Sequence, residues 1–431
     1  MTDRVPGLLL TDHTFAVPLD HDRPDGETIE VYAREVTGRD PGAADRPWLV
    51  YLQGGPGGAS PRPMSAVPGQ PPDGWIGRAV RDYRVLLLDQ RGTGRSTPAN
   101  RQTLPRRGGP AEQADYLALF RADAIVKDAE FIRRRLTGGA PWSVLGQSFG
   151  GMCAVTYLSY AADGLREVMI TGGLPGLDAT IDDVYRAAYP RMRRKNAAHF
   201  QRYPGDAGTA RAIADHLREH ETTMPGGGLL TVPAFQSLGI ILGMSSGSDR
   251  LHHLLEYACA DGPGLLSHVF LAGVEAEISV AGMPLFHLLH EACYGWDGRD
   301  GRATGWAAER IRAEFPEFDA ADPLLFTGET MHPWMLRTDP ALRPLAETAE
   351  LLAAREGWTP LYDRAALAAN TVPVAALVYH DDLYVDTAYS LATASAIRGL
   401  RPWITNEYEH DGLRIDPVRI MDRLIGMVRG G

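Results

Sequence analysis

Cysteine is scarce in this chain. Its 431 residues hold three, Cys153, Cys259 and Cys293, odd in number and far apart. That excludes a disulfide framework, and without a Cys-x-x-Cys pair no structural zinc is expected; a reducing cytoplasm is the expected location. Long apolar runs are missing too. No window approaches the ~20 residues that a membrane-spanning helix requires, and the most apolar short stretch, Leu238 to Met244, is broken by glycines. The opening Met1-Thr2-Asp3-Arg4 lacks the basic-then-apolar layout of a secretory signal, so none is expected. Positive charge is in deficit: Lys plus Arg number 43 against 54 for Asp plus Glu, a formal charge of −11. This is the wrong sign for nucleic acid or an anionic membrane as a partner. Neither Gly-Lys-Ser nor Gly-Lys-Thr occurs, which removes a nucleotide-binding P-loop.

What is present is ordinary globular material, 44% apolar and 23% charged, enough for a sizeable core. Short apolar runs alternate with amphipathic stretches through the first part, the pattern of an α/β fold. Strands are expected at Ile29–Val36, Trp48–Leu52, Tyr83–Leu88, Trp142–Leu145 and Val168–Thr171. Ile125, Ala129, Ile132 and Leu136 recur at helical spacing behind Asp123, a candidate cap, and a second helix is expected after Ser148. From residue 178 to 345 the texture is helical, rich in His, Arg, Met and aromatic residues. Then strands Val372–Tyr379 and Trp403–Asn406 and helices Ala388–Ile397 and Pro417–Val428 restore the α/β pattern. The expected organisation is one α/β core, residues 1–177 and 346–431, interrupted by a helical cap over 178–345. A long insertion is tolerable because loop-closure entropy grows slowly with length.

Three places carry chemistry. Gly146-Gln147-Ser148-Phe149-Gly150-Gly151 follows a strand and opens a helix, the arrangement that projects a nucleophilic serine from a strained turn. The Phe149 N–H, at the helix N-terminus, is placed to meet a developing oxyanion. Gln53-Gly54-Gly55-Pro56-Gly57-Gly58 comes straight after another strand and offers a second oxyanion donor near Gly55. Four glycines in five residues cost too much backbone entropy for an ordinary turn. A serine nucleophile also needs an acid and then a histidine later in the chain. The strand ending at Tyr379 runs into His380-Asp381-Asp382, with Asp382 the first choice and Asp381 in reserve. The last strand runs into Glu409-His410-Asp411-Gly412, which supplies His410. His287-x-x-His290-Glu291 is not a metal motif, because adjacent helical residues point in different directions. Neither a metal nor an organic cofactor is expected. Arg91 and Arg95 read as internal ion-pair formers near the site.

Gly54–Gly58, Asp89-Gln90-Arg91-Gly92-Thr93-Gly94-Arg95-Ser96, Gly146–Gly151 and Glu409–Gly412 together resemble the proline iminopeptidase family, serine peptidases of the α/β-hydrolase fold. Two departures are Gln53, where many members carry His, and an acid loop without the usual Gly-x-x-Asp wording. The resemblance implies release of N-terminal proline from small peptides: Ser148 attacks the carbonyl, His410 takes the proton, Asp382 orients the imidazole, and Gly55 and Phe149 hold the oxyanion. It also implies carboxylates for the substrate's free amine, with Glu291 and Glu329 similar to such residues in the family's cap, and an apolar wall from Tyr294, Phe326 and Trp334. Two alternatives are a broader aminopeptidase or esterase on the same core, and a non-catalytic receptor that keeps the hydrolase scaffold.

Overall fold

In the computed structural model the described residues are 2–64, 74–262, 264–294, 302–319 and 322–430. Nine strands form one sheet: β1 (Thr2–Val5), β2 (Leu8–Pro18), β3 (Thr28–Gly38), β4 (Trp48–Leu52), β5 (Arg84–Leu88), β6 (Trp142–Gln147), β7 (Leu165–Thr171), β8 (Val374–Tyr379) and β9 (Leu400–Thr405), in the order β1-β2-β3-β5-β4-β6-β7-β8-β9. Pairing is antiparallel from β1 to β5 and parallel from β5 through β9. The parallel strands β4 and β8 are buried along their whole length, as expected when helices cover both faces.

Alternation sorts their side chains to two cores. Val50, Leu52, Val144, Ala376 and Val378 face one side, where α1 (Ala122–Thr137) and α2 (Phe149–Tyr160) pack. Leu49, Tyr51, Leu145, Ala375 and Leu377 face the other, against Ile420, Met421, Leu424 and Ile425 of the last helix.

Between β7 and β8 the described residues form helices and loops, with one isolated bridge, Thr223 to Leu229. The long helix α3 (Ile181–Arg202) opens on a Thr180–Asp183 capping box, and α4 (Ala307–Arg312) comes later in the same segment. Apolar residues of this segment, Phe235 and Leu285 among them, join the core that covers the α1 and α2 face.

β2 lies outside the strands expected from sequence, because its burial does not alternate and its middle carries Asp12 and His13; β9 begins at Leu400, three residues before the expected Trp403. Asp123 does not cap α1; the cap position falls two residues earlier, at Arg121, which places Asp123 in the first turn.

Candidate active site

The chemistry gathers where the parallel strands end, the edge at which open α/β sheets bind ligands. β6 stops at Gln147, and Ser148 sits at φ 55°, ψ −124°, a strained conformation for a residue with a side chain. The chain turns at once into α2. That turn needs bare backbone: a Cβ on Gly150 would collide with the Leu52 carbonyl at the end of β4, and one on Gly151 would lie 2.7 Å from Gly173 Cα. Ser148 is left partly exposed at the N-terminus of α2, whose first N–H, that of Phe149, has no partner within a helix.

The glycine-rich loop after β4 lies against this serine. The Cβ position of Gly54 is 3.0 Å from Ser148 Cβ and 2.8 Å from Gln147 Oε1, so Gly55 is one residue beyond the contact. Gln90 Nε2 donates to the Gln53 carbonyl (3.1 Å), tying the loop to the Asp89–Ser96 run. Within that run Asp89 is fully buried and accepts N–H groups from Ser60 and Arg95. Arg91, buried as well, grips Asp128 with two bonds of 2.7 and 2.6 Å. The exposed Arg95 pairs with Asp12 at 2.8 Å. Arg91 thus makes the internal pair that its sequence context implied, whereas the Arg95 pair lies at the surface.

The acid and the base come from the loops after β8 and β9. Asp382 is buried; its Oδ1 accepts the N–H groups of Tyr384 (2.8 Å) and Val385 (3.1 Å), and its Oδ2 lies 2.7 Å from His410 Nδ1. Asp381 is exposed and meets His380 instead (3.0 Å), so of the two carboxylates it is Asp382 that reaches the histidine. His410 is buried edge-on against the Tyr384 ring, and its backbone N–H donates to Gly243 in the segment between β7 and β8. Gly172 lies between the two halves of the site: its Cβ position is 3.0 Å from His410 Nδ1, while the neighbouring Gly173 crowds the Ser148 carbonyl. In sequence this glycine pair reads only as a strand breaker; its closeness to both residues is a tertiary fact.

Burial by itself would lower the pKa of His410, but the charge and hydrogen bond of Asp382, with Glu329 adding, reverse this and hold it above the usual histidine range. Glu329 is pushed up to about 7: burial dominates and Asp382 adds to it, while His410 and Arg191 pull the other way. Its nearest basic ring is His290, 3.7 Å away, which burial lowers to about 3 and thereby keeps neutral, so the two form no ion pair. The Glu329 side chain, 18% exposed, thus has no Lys or Arg bonded to it among the described residues, while Asp382 and His410 act on it electrostatically.

The other expected pocket residues divide. Tyr294 is within electrostatic reach of Glu329. Glu291 is buried, with Oε1 accepting the Ala308 N–H at the start of α4 (3.0 Å) and Oε2 unpartnered; burial lifts it to about 7 against these N–H bonds. Both glutamates act electrostatically on the buried Tyr185 hydroxyl, which has no partner of its own. Trp334 lines a cavity of about 290 Å³ shared with Phe286, His287 and Gly328. Phe326 departs from expectation. It is fully buried among Phe235 and Phe200, with Asn196 holding its N–H and its carbonyl, because its apolar ring is worth more in the core than at a wet pocket wall.

A serine on a strained strand-to-helix turn, followed in chain order by an aspartate and the histidine it orients, on this sheet, defines a serine hydrolase of the α/β-hydrolase fold. The family model described as the alpha/beta hydrolase fold matches residues 47–255. A proline iminopeptidase of Aeromonas sobria is 46% identical over 426 residues, covering 98% of this chain and 97% of that protein. One from Aspergillus aculeatus is 34% identical over 429 residues, covering 96% and 92%. The chain belongs to the proline iminopeptidase family. Among solved structures, a malate-bound esterase from Thermogutta terrifontis superposes with a TM-score of 0.44 at 14% identity, over 97% of this chain and 98% of that one.

Proposed function

We propose that the protein is a serine exopeptidase that releases proline from the N-terminus of small peptides, with residues 178–345 as a cap over the core. Ser148 Oγ attacks the carbonyl of the first residue. His410 takes the proton at Nε2, since Nδ1 is committed to Asp382, which stabilises the imidazolium. The N–H groups of Gly55 and Phe149 hold the oxyanion. His410 then protonates the departing amine, and water resolves the acyl-serine by the same route. Glu329 accepts the substrate ammonium, with the free Oε2 of Glu291 and the Tyr185 hydroxyl as further acceptors; Tyr294 and Trp334 bound the ring. Three free cysteines suit a cytoplasmic enzyme.

The observation that carries this reading is Glu329, whose side chain is 18% exposed and has, among the described residues, no cationic partner, the His290 ring 3.7 Å away being kept neutral by burial. A buried charge is costly unless something pairs with it, and the ammonium of an exopeptidase substrate is such a partner. An esterase has no use for it.

The test compares proline β-naphthylamide, its N-acetylated form and p-nitrophenyl acetate, with Ser148→Ala as control. Cleavage of the free-amine substrate over its acetylated form, lost in the variant, supports the proposal. Ester turnover without proline release moves the protein to an esterase.

A further inference from the structure

One helix of the segment between β7 and β8 holds both loops of the catalytic pair. Arg191, buried midway along α3, directs Nε to the Leu383 carbonyl (3.3 Å), Nη2 to the Tyr384 carbonyl (3.4 Å) and Nη1 to the Asp386 carboxylate (2.7 Å). One turn further on, Lys195 pairs with Glu409, the residue before His410. The next residue, Asn196, clasps the backbone of Phe326, three residues before Glu329.

The Arg191 bonds have a particular geometry. The Leu383 carbonyl belongs to the same peptide unit as the Tyr384 N–H, and the Tyr384 carbonyl to the same unit as the Val385 N–H. Those two N–H groups are the ones that hold Asp382 Oδ1. Because a peptide unit is planar, fixing its carbonyl fixes the direction of the N–H on its other side. A guanidinium, with its rigid fork of donors, can fix two such planes at once; an ammonium on a flexible stem cannot. Cap-to-core packing alone would be served as well by an apolar side chain, without the cost of burying a charge.

The geometry points to Arg191 as a positioning residue for Asp382: from α3 it fixes the two peptide planes that aim the carboxylate at His410. The inference rests on the roles proposed above for Asp382 and His410 and is independent of the preference for proline. The groups that act electrostatically on His410 are Asp382 from the β8 loop, Glu329 from the cap and Arg414 from the turn after His410. The rings of Tyr379 and Tyr384 pack edge-on against it.

Arg191→Met keeps the bulk and removes the fork. Steady-state rates would be measured on proline β-naphthylamide and p-nitrophenyl acetate, per folded enzyme, across pH. A misaimed Asp382 is expected to lower kcat about 100-fold on both substrates, to leave KM for the prolyl substrate within about threefold, and to move the acid limb of ester hydrolysis to lower pH as His410 loses part of the aspartate's influence. Arg191→Lys should recover only part of the rate. A lower melting temperature with unchanged kcat and limb would overturn the proposal, since that is a purely structural role. So would a loss confined to the free-amine substrate, which would place the effect at Glu329. Should Arg191→Met not fold, Asp386→Asn keeps both carbonyl bonds and loosens the fork. A smaller fall in kcat with the same limb shift is then expected, and no shift overturns the proposal. If the unaltered enzyme cleaves the ester and no prolyl substrate, the specificity reading fails, and the Arg191 comparison still stands on the ester.

Discussion

In the proposed reading, Glu329 is the side chain whose ionisation most directly separates this site from that of a plain serine esterase. Its carboxyl, held near 7 by burial, is neutral below that pH and cannot bind an ammonium well. A substrate amine with a pKa of roughly 8 stays charged across the same range. KM for a prolyl substrate should therefore rise as pH falls below about 7, while KM for an ester stays flat. Glu329→Gln should abolish that pH dependence and lower kcat/KM for the prolyl substrate by about 100-fold or more, the scale of a lost charge-assisted contact. Stability makes a separate check. A carboxyl with a raised folded-state pKa stabilises the protein only while protonated, and that contribution is lost as pH rises through about 7. Glu329→Gln should thus melt a few degrees higher than the parent at pH 8 and lose the advantage near pH 5, as followed by calorimetry.

The ends of β8 and β9 set the behaviour of the catalytic pair. Asp382→Asn leaves the loop shape intact but favours the wrong histidine tautomer, so kcat should drop by about 10⁴-fold. Asp381→Asn, at an exposed pair with His380, should leave kcat within about twofold. As the proposed base His410 must be neutral, and its pKa is raised by Asp382 and Glu329 despite burial. The acid limb of kcat/KM for the ester should accordingly fall above the ordinary histidine value of about 6.5, and it should move down in Asp382→Asn. An unmoved limb would take the titration away from His410.

Over the whole molecule, one apolar core is shared by the sheet and the segment between β7 and β8: Val50 and Val144 belong to the same cluster as Phe235, Leu285 and Phe326. The carbonyl of Gly243 and the side chain of Ser245 add bonds to His410 and Asp411. Segment and sheet should therefore melt together, with one calorimetric transition that coincides with the loss of Ser148 labelling by an organophosphorus probe. Two separated transitions would mean that this segment opens independently of the sheet. Since every step proposed uses side chains and backbone of the chain itself, dialysis against a chelator should leave turnover unchanged.

The chain order of Ser148, Asp382 and His410, and the strands and helices that bear them, were legible in the sequence because they are local. Gly146–Gly151 lies between a strand and a helix, Asp382 and His410 lie just past strands, and β4 and the last helix fall at the residues expected. β2 was hidden by its half-wet, unpatterned face. Only tertiary structure decided what depends on distance between remote segments: that Asp382 rather than Asp381 meets His410, that Gly172 and Gly173 lie against the histidine and the serine, that Phe326 is fully buried in the core while Glu329, near His290, is only partly buried, and that Arg191 reaches across from α3 to the acid loop. Periodicity reports which face of an element is buried. It carries no information on which buried polar group finds a partner from another part of the chain, and it is that pairing that assigns the chemistry.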